Sequence, residues 1–270
     1  MSRIDNVFKS QLSQRKKVLI PFITAGDPSP AHTVSLMHAL VAGGADLIEL
    51  GIPFSDPMAD GPVIQRASER ALKHGVGLKD VLGMVRQFRE TNPSTPVVLM
   101  GYANPIERMG YEAFAENAAA SGVDGVLIVD LPPEESDGLV SALVKKDLAP
   151  IYLLAPTTPD FRVKAISERA RGYVYYVSLK GVTGAAHVDY SAVGQRLPGL
   201  RENLQVPIGV GFGISDGAGA AAVAKVADAV IVGSRLVKEI ENSPADAMAT
   251  NLESLVRSLR TAMDEATVVG

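Results

Sequence analysis

The chain has 270 residues, of which 47% are hydrophobic and 21% are charged, so it is long and apolar enough to bury a sizeable core. A net charge of −4 argues against a nucleic-acid-binding protein, which needs a basic surface. Cysteine is absent, which excludes disulfide bonds, thiolate nucleophiles and cysteine-bound metals.

The first predicted element is an N-terminal helix, because charged and apolar residues alternate there at helical spacing. This segment lacks the apolar core of a signal peptide. The longest stretch without a charged residue, 28–45, contains prolines and histidines and predicts an ordinary helix, not a membrane span. We therefore expect a cytoplasmic protein that does not contact a membrane.

Short β-branched or aliphatic runs recur along the chain and predict eight strands. They lie at residues 18–23, 46–50, 97–102, 124–129, 149–154, 173–177, 207–211 and 228–232. Segments with helical periodicity follow most of these runs, at residues 30–41, 62–73, 78–90, 111–121, 134–146, 160–169, 216–226 and 244–266. Strands that alternate with helices predict a parallel sheet covered by helices. Eight such units predict an α/β fold, a single (β/α)8 TIM barrel with an extra N-terminal helix and additional short helices, over residues 1–270 as one domain.

Function in such barrels is built where the strands end, and strand two carries a charged residue, Glu49, next to its end. Alternation along this strand sets Glu49 on the face opposite Ile48 and Leu50. If the two aliphatic residues pack under the helices, Glu49 points into the barrel, where a carboxylate is costly unless it is paired or used. Two readings remain open: a structural ion pair with a lysine or arginine, and a catalytic carboxyl.

The long segment after strand two contains two more carboxylates, Asp56 and Asp60. Asp60 precedes Gly61 and Pro62 at the predicted start of a helix, where capping and turn chemistry favour aspartate. Local pattern alone therefore favours a capping role for Asp60 over a catalytic one. Asp56 carries the same ambiguity.

Glycine-containing turns after the last strands predict a phosphate site. Gly211 and Gly213 follow strand seven, and Gly233 follows strand eight just before a helix predicted to begin at Ser234. Glycine lets backbone N–H groups approach an anion, and a helix N-terminus adds its positive end. The alternative is that these glycines only make tight turns. The glycine segment at 181–184, after strand six, could close over the same phosphate.

Other candidate residues give weaker signals. Tyr173 and Tyr175 lie on one face of strand six, and one tyrosine pair of this strand must face the interior. Lys180 at its end could form a Schiff base, although a solvated lysine is far commoner. The four histidines show no metal-ligand spacing, so no metal site is expected. From residues alone, the sequence predicts a barrel enzyme that acts on a small phosphorylated molecule.

Six segments of the chain closely resemble tryptophan synthase α chains, in that family's order and spacing. They are PFITAGDP at 21–28, ELGIPFSDPMADGP at 49–62, GYANP at 101–105, DLP at 130–132, GVTG at 181–184 and GFGIS at 211–215. The resemblance implies cleavage of indole-3-glycerol phosphate to indole and glyceraldehyde 3-phosphate, a retro-aldol reaction. It implies that Glu49 and Asp60 are the catalytic carboxylates, with no metal and no cofactor on this chain.

The resemblance also implies binding residues. The implied substrate contacts are Phe22, Met100, Tyr175, Thr183 and Phe212. The implied phosphate contacts are Gly184, Gly213, Gly233 and Ser234. The family binds a β chain that carries pyridoxal phosphate, in an α2β2 complex, and Pro53 and Asp56 are implied at that interface.

Three alternative functions are left open. Another phosphate-binding barrel enzyme, such as an epimerase or indole-glycerol-phosphate synthase, would share the glycines but not the long segment from Glu49 to Asp60. A Schiff-base aldolase would use Lys180. The chain could also be mainly an allosteric binding subunit with slow chemistry of its own.

Overall fold

Eight parallel strands close into a barrel in the order β1 to β8. The structure is a computed structural model and describes residues 1–177, 190–211 and 213–268. The strands are β1 (Val18–Thr24), β2 (Ile48–Gly51), β3 (Val97–Gly101), β4 (Gly125–Ile128), β5 (Ala149–Leu154), β6 (Val174–Val177), β7 (Ile208–Gly211) and β8 (Ala229–Val232). Each predicted strand is present and differs from its expected bounds by two residues at most, so the predicted barrel is confirmed.

Helices surround the barrel. Those described are α1 (Arg3–Ser13), α2 (Pro30–Ala42), α3 (Pro62–Lys73), α4 (Leu78–Arg89), α5 (Ala103–Met109), α6 (Tyr111–Ser121), α7 (Asp137–Val144), α8 (Asp160–Arg169), α9 (Tyr190–Arg201), α10 (Gly217–Ala224), α11 (Ser234–Asn242) and α12 (Met248–Val268). The helix predicted at 134–146 is wrong at its start, where Pro133–Glu135 form a separate 3₁₀ turn before α7. The individual helices α5 and α9 were not predicted.

Alternation along the strands divides the buried side chains into two layers. Ile48 and Leu50 of β2 belong to the outer layer, between strands and helices. Leu47, Val98 and Tyr173 belong to an inner layer inside the barrel. The long helix α12 packs against α2 and α10 and completes the outer ring.

The N-terminal helix α1 closes one end of the barrel. Its first turn is held by a capping box between Ser2 and Asp5. Its buried residues Ile4 and Phe8 belong to the inner layer, and the Phe8 ring packs on Tyr173 with centroids 5.8 Å apart. Because α1 covers the end at which the strands begin, the opposite end is left for a ligand.

The segment between β2 and α3, residues 52–61, is called loop 2 below. No helix in the described residues is long and apolar enough to cross a membrane.

Candidate active site

A pocket opens at the carboxyl ends of β1, β2 and β3. Its described lining consists of Phe22, Thr24, Gly51, Ile52, Asp60, Ile64, Ser68, Met100, Gly101, Tyr102 and Val129. The pocket combines aromatic and aliphatic surface with a single carboxylate, which is the character expected of a site for a flat apolar ligand. Two predicted substrate contacts, Phe22 and Met100, lie in this lining.

Glu49 points into the barrel, directly beside the pocket. Its backbone pairs with Phe22 on β1 and with Val98 on β3, and its side chain is 0% exposed. The Tyr173 hydroxyl donates a hydrogen bond of 2.5 Å to Glu49 Oε1. Glu49 Oε2 is buried and has no hydrogen-bond partner among the described residues. The alternation argument for strand two therefore placed this carboxyl on the correct face.

Burial determines the protonation of Glu49. Loss of water raises its pKa to about 7, and the hydrogen bond from Tyr173 opposes this rise only in part. Burial and, to a smaller extent, the nearby Glu49 carboxyl raise the pKa of Tyr173 well above its ordinary value, so the phenol stays a donor. None of the ion pairs among the described residues includes Glu49. The alternative prediction, a structural ion pair with a lysine or arginine, therefore has no support in this part of the chain.

Asp60 does not cap the helix that follows it. The N-cap of α3 is Gly61, which has no side chain with which to cap this helix. Asp60 Oδ2 instead accepts a hydrogen bond of 2.9 Å from the Tyr102 hydroxyl. Burial raises the pKa of Asp60, while the bond from Tyr102 lowers it. The capping role favoured by the local pattern is therefore wrong, because a partner from another loop takes the carboxylate.

Tyr102 is a site residue that sequence reasoning did not single out. Besides its bond to Asp60, its hydroxyl accepts a hydrogen bond of 3.1 Å from the Ala59 N–H. Its ring stacks on Phe54 of loop 2, with centroids 5.1 Å apart. The Tyr102 side chain, at the end of β3, thus contacts three residues of loop 2: Phe54, Ala59 and Asp60. The position of Tyr102 at the end of a predicted strand is the sequence signal that could have identified it as a site residue.

Tyr175 faces the barrel interior together with Tyr173, as the strand pattern predicted. Burial raises the pKa of Tyr175, and the charge of Glu49 raises it further. Its hydroxyl occupies the space into which a Cβ on Gly211 would project. A Cβ on Gly211 would therefore displace the Tyr175 hydroxyl from its position at the end of β7.

The predicted phosphate residues Gly233 and Ser234 begin α11. Gly233 is the N-cap of this helix and, as a glycine, has no side chain with which to cap its first turn. An uncapped first turn offers backbone N–H groups and the positive end of the helix to an anion. A Cβ placed on Gly233 would lie 3.5 Å from the Phe22 ring, so this helix end adjoins the apolar pocket. Gly213, after β7, has a φ of +73°, which favours glycine.

Several predicted residues lie outside the described residues. They are Lys180, Thr183, Gly184 and Phe212, together with the rest of the glycine segment at 181–184. Their predicted roles stay predictions.

The two residues predicted at a partner interface both belong to loop 2 but differ in exposure. Pro53 is buried, whereas Asp56 is exposed. Met58 is 84% exposed, while Phe54 packs within the molecule on Tyr102. Loop 2 therefore presents an acidic residue and one large apolar side chain to solvent. No group of three His, Cys, Asp or Glu residues suited to a metal ion occurs in the part of the chain that the structure describes.

Comparison with known proteins identifies the family. The family model described as "Tryptophan synthase alpha chain" matches residues 8–267. The tryptophan synthase alpha chain of Nitrosospira multiformis is 63% identical over 266 residues, which are 98% of this chain and 95% of that one. The corresponding chain of Nitrosomonas europaea is 60% identical over 264 residues, 98% of this chain and 96% of the relative.

Solved structures agree with this result. The crystal structure of tryptophan synthase subunit alpha from Legionella pneumophila superposes with a TM-score of 0.90 at 48% identity, covering 98% of this chain and 99% of that one. A tryptophan synthase structure from M. tuberculosis, titled as its aminoacrylate-bound form, gives a TM-score of 0.87 at 35% identity, covering 97% of this chain and 100% of that one. The predicted resemblance is confirmed. The chain belongs to the tryptophan synthase alpha chain family, the lyases of tryptophan biosynthesis that cleave indole-3-glycerol phosphate to indole and glyceraldehyde 3-phosphate.

Proposed function

We propose that Glu49 and Asp60 carry out the family's retro-aldol reaction in this chain. The observation that carries the proposal is the burial of Glu49 and its effect on the pKa of this carboxyl. It is a fully buried carboxyl with one oxygen that has no hydrogen-bond partner in the described part of the chain and a pKa raised to about 7. A group with such a pKa is available as an acid and as a base near neutral pH, as a proton shuttle requires.

The reaction needs an electron sink when the bond between indole C3 and the glycerol carbon breaks. Protonation of C3 converts the indole into an iminium-like indolenine, so the substrate supplies its own sink. Protonated Glu49 donates that proton. The resulting carboxylate then accepts the proton of the adjacent glycerol hydroxyl while the C–C bond breaks, which gives indole and the aldehyde and restores the acid.

Asp60 stabilises the charge that develops on the ring. A carboxylate that accepts a hydrogen bond from the indole N–H favours the cationic indolenine over the neutral indole. Asp60 lines the same pocket as Phe22 and Met100, whose apolar surfaces suit the two faces of an indole. The bond from Tyr102 holds the carboxylate in that lining.

The phosphate of the substrate belongs at the N-terminus of α11. Gly233 and Ser234 begin that helix, and Gly213 supplies a left-handed turn nearby in the barrel mouth. The position of Gly233 beside Phe22 supports a single substrate that spans the pocket and the helix end. Gly184 closes over the phosphate, and Thr183, Tyr175 and Phe212 contact the substrate, in the same proposal.

The proposal includes a β-chain partner. Family membership implies a complex with a tryptophan synthase β chain, and we propose an α2β2 assembly in which pyridoxal phosphate is bound by β alone. Loop 2, with Pro53 and Asp56, forms part of that interface in the proposal, and of these two residues only Asp56 is exposed. A cytoplasmic location stays a prediction, which cell fractionation would test.

The first experiment measures indole release from indole-3-glycerol phosphate by the purified chain, alone and with a β chain. Glu49→Gln keeps the shape of the side chain but cannot donate the proton. We expect weak activity alone, stimulation by β, and near-abolition in Glu49→Gln. Glu112→Gln, which changes an exposed carboxyl on α6, serves as the matched control and should retain wild-type activity.

Three other results would each contradict a different part of the proposal. Unchanged activity of Glu49→Gln would remove Glu49 from the mechanism. Inactivation by borohydride in the presence of substrate would indicate a Schiff base, and Lys180 would become the candidate. Indole release that depends entirely on β would support a mainly allosteric subunit.

A further inference from the structure

Four charged side chains join three elements on the side of the barrel where β1 and β8 are neighbours. Asp27 follows β1, Arg66 and Arg70 lie on α3, and Glu241 lies on α11. We call these four residues the α3–α11 bridge. Its two positive and two negative charges balance.

The contacts within the bridge are mostly two-pronged. Arg70 donates to both carboxylate oxygens of Asp27, at 2.6 and 2.9 Å, and its third nitrogen reaches Glu241 at 2.7 Å. Arg66 donates to both oxygens of Glu241 at 2.8 Å. Paired hydrogen bonds between a guanidinium and a carboxylate define direction as well as distance. The bridge can therefore hold α11 in one position against α3.

The position of Glu241 does not stabilise its own helix. It lies in the last turn of α11, where the negative end of the helix dipole disfavours a carboxylate. The hydrogen bonds from Arg66, with the charge of Arg70, lower the pKa of Glu241 to about 2 and keep it ionised. Its partners lie on α3, unlike Glu239 of the same helix, which pairs with Arg235 within α11 at 2.7 Å.

The two bridged helices carry the two halves of the proposed site. Helix α3 begins directly after Asp60 and loop 2, and α11 begins at the proposed phosphate contact Ser234. Between them, Ala67 of α3 and Val237 of α11 pack with Phe22 in one small apolar cluster. A displacement of α11 along α3 would therefore change the distance between the carboxylate and the phosphate-binding end.

We infer that Glu241 is a positioning residue, which acts through Arg66 and Arg70 to set the location of the phosphate-binding end of α11 relative to the Asp60 side of the pocket. This inference rests on the proposed function, since it concerns the phosphate end of that site. It predicts that loss of the bridge weakens recognition of the phosphate more than recognition of the ring. A bridge that only stabilised the fold would not produce this selectivity.

The test compares Glu241→Gln with Glu239→Gln in the full-length chain. The control removes a carboxylate from the same helix and breaks an ion pair of similar length, but one that does not reach α3. Calorimetric titration would measure binding of glycerol 3-phosphate, which carries the phosphate without the ring, and of indole, which carries the ring without the phosphate. We expect Kd for glycerol 3-phosphate to rise about fivefold to tenfold in Glu241→Gln, roughly the effect of 1 kcal/mol or a little more. Binding of indole should stay within about twofold, and Glu239→Gln should match the wild type in both titrations.

A second variant keeps the test informative if Glu241→Gln fails to fold. Arg66→Lys keeps the charge but loses the two-pronged contact, so it should raise Kd for glycerol 3-phosphate by a smaller factor. In steady-state assays, both variants should raise KM for indole-3-glycerol phosphate more than they lower kcat.

Two results would overturn the inference. Unchanged binding of glycerol 3-phosphate, even with reduced stability, would make the bridge purely structural. Equal weakening of both probes would mean a general loss of the pocket and not a displaced phosphate end. Failure of the wild-type chain to release indole would instead reject the proposed function, so the two failures are distinguishable.

Discussion

Replacing Glu49 by glutamine tests the protonation state on which the proposed chemistry depends. In the folded chain, burial raises the pKa of Glu49 from 4.5 to about 7, whereas unfolding returns the carboxyl to water. Because the folded-state pKa is the higher one, the native chain holds this proton more tightly than the unfolded chain between those two values. The free energy of unfolding therefore falls as the pH rises through that window, and the loss is complete above it.

The expected size follows from the same pKa. Each pH unit of displacement is worth about 1.4 kcal/mol, so the rise from 4.5 to about 7 costs the wild type about 3 kcal/mol above neutral pH. Glutamine cannot ionise and does not incur this cost. Its buried amide lacks a partner at the position of Oε2, which costs about 1–3 kcal/mol, but that cost is the same at every pH and cancels in the comparison.

The assay is urea unfolding of wild type, Glu49→Gln and the exposed control Glu112→Gln at about pH 5 and about pH 9, followed by circular dichroism. Between these pH values, the difference in unfolding free energy between Glu49→Gln and wild type should change by about 3 kcal/mol in favour of the variant. The control should track the wild type. If the difference in unfolding free energy between Glu49→Gln and wild type does not change with pH, the reasoning is refuted, because the pKa of Glu49 would then not be raised in the folded chain.

Three other perturbations have definite expected outcomes. Tyr102→Phe removes the donor that lowers the pKa of Asp60, so the acid limb of the rate profile should move to higher pH, and an unmoved limb would contradict this role. Gly51→Ala would bring a Cβ to 2.6 Å from the Phe22 ring, so urea unfolding should reveal a loss of about 1–3 kcal/mol and titration a weaker affinity for indole. Asp124→Ala removes a carboxylate with a 5% exposed side chain that pairs with two arginines, so unfolding free energy should fall by about 3–5 kcal/mol while KM of the folded fraction stays unchanged.

The sequence predicted the barrel well because period-two alternation and strand–helix alternation are local signals. The same alternation placed Glu49 inside the barrel, since Ile48 and Leu50 had to face the helices. The partners of the carboxylates were not predictable in this way. Tyr173 lies 124 residues from Glu49, and Tyr102 lies 42 residues from Asp60.

Asp60 illustrates how a local rule can fail. The sequence Asp60-Gly61-Pro62 has the composition of a helix start, yet the N-cap is Gly61, and the Asp60 carboxylate accepts a hydrogen bond from Tyr102, at the end of the next strand. The individual helices α5 and α9 were missed for a related reason. Helix α9 contains Pro198, and α5 has only seven residues, so neither carries a strong periodic pattern.

The closure of the barrel by α1 has a consequence for the opposite end of the molecule. Phe8 packs on Tyr173, and Tyr173 in turn donates a hydrogen bond to Glu49, so a surface helix supports the layer of side chains beneath this carboxyl. That layer keeps water out of the barrel interior, and exclusion of water is what raises the pKa of Glu49. The pKa of Glu49 is therefore set partly by an N-terminal segment on the face of the barrel away from the pocket.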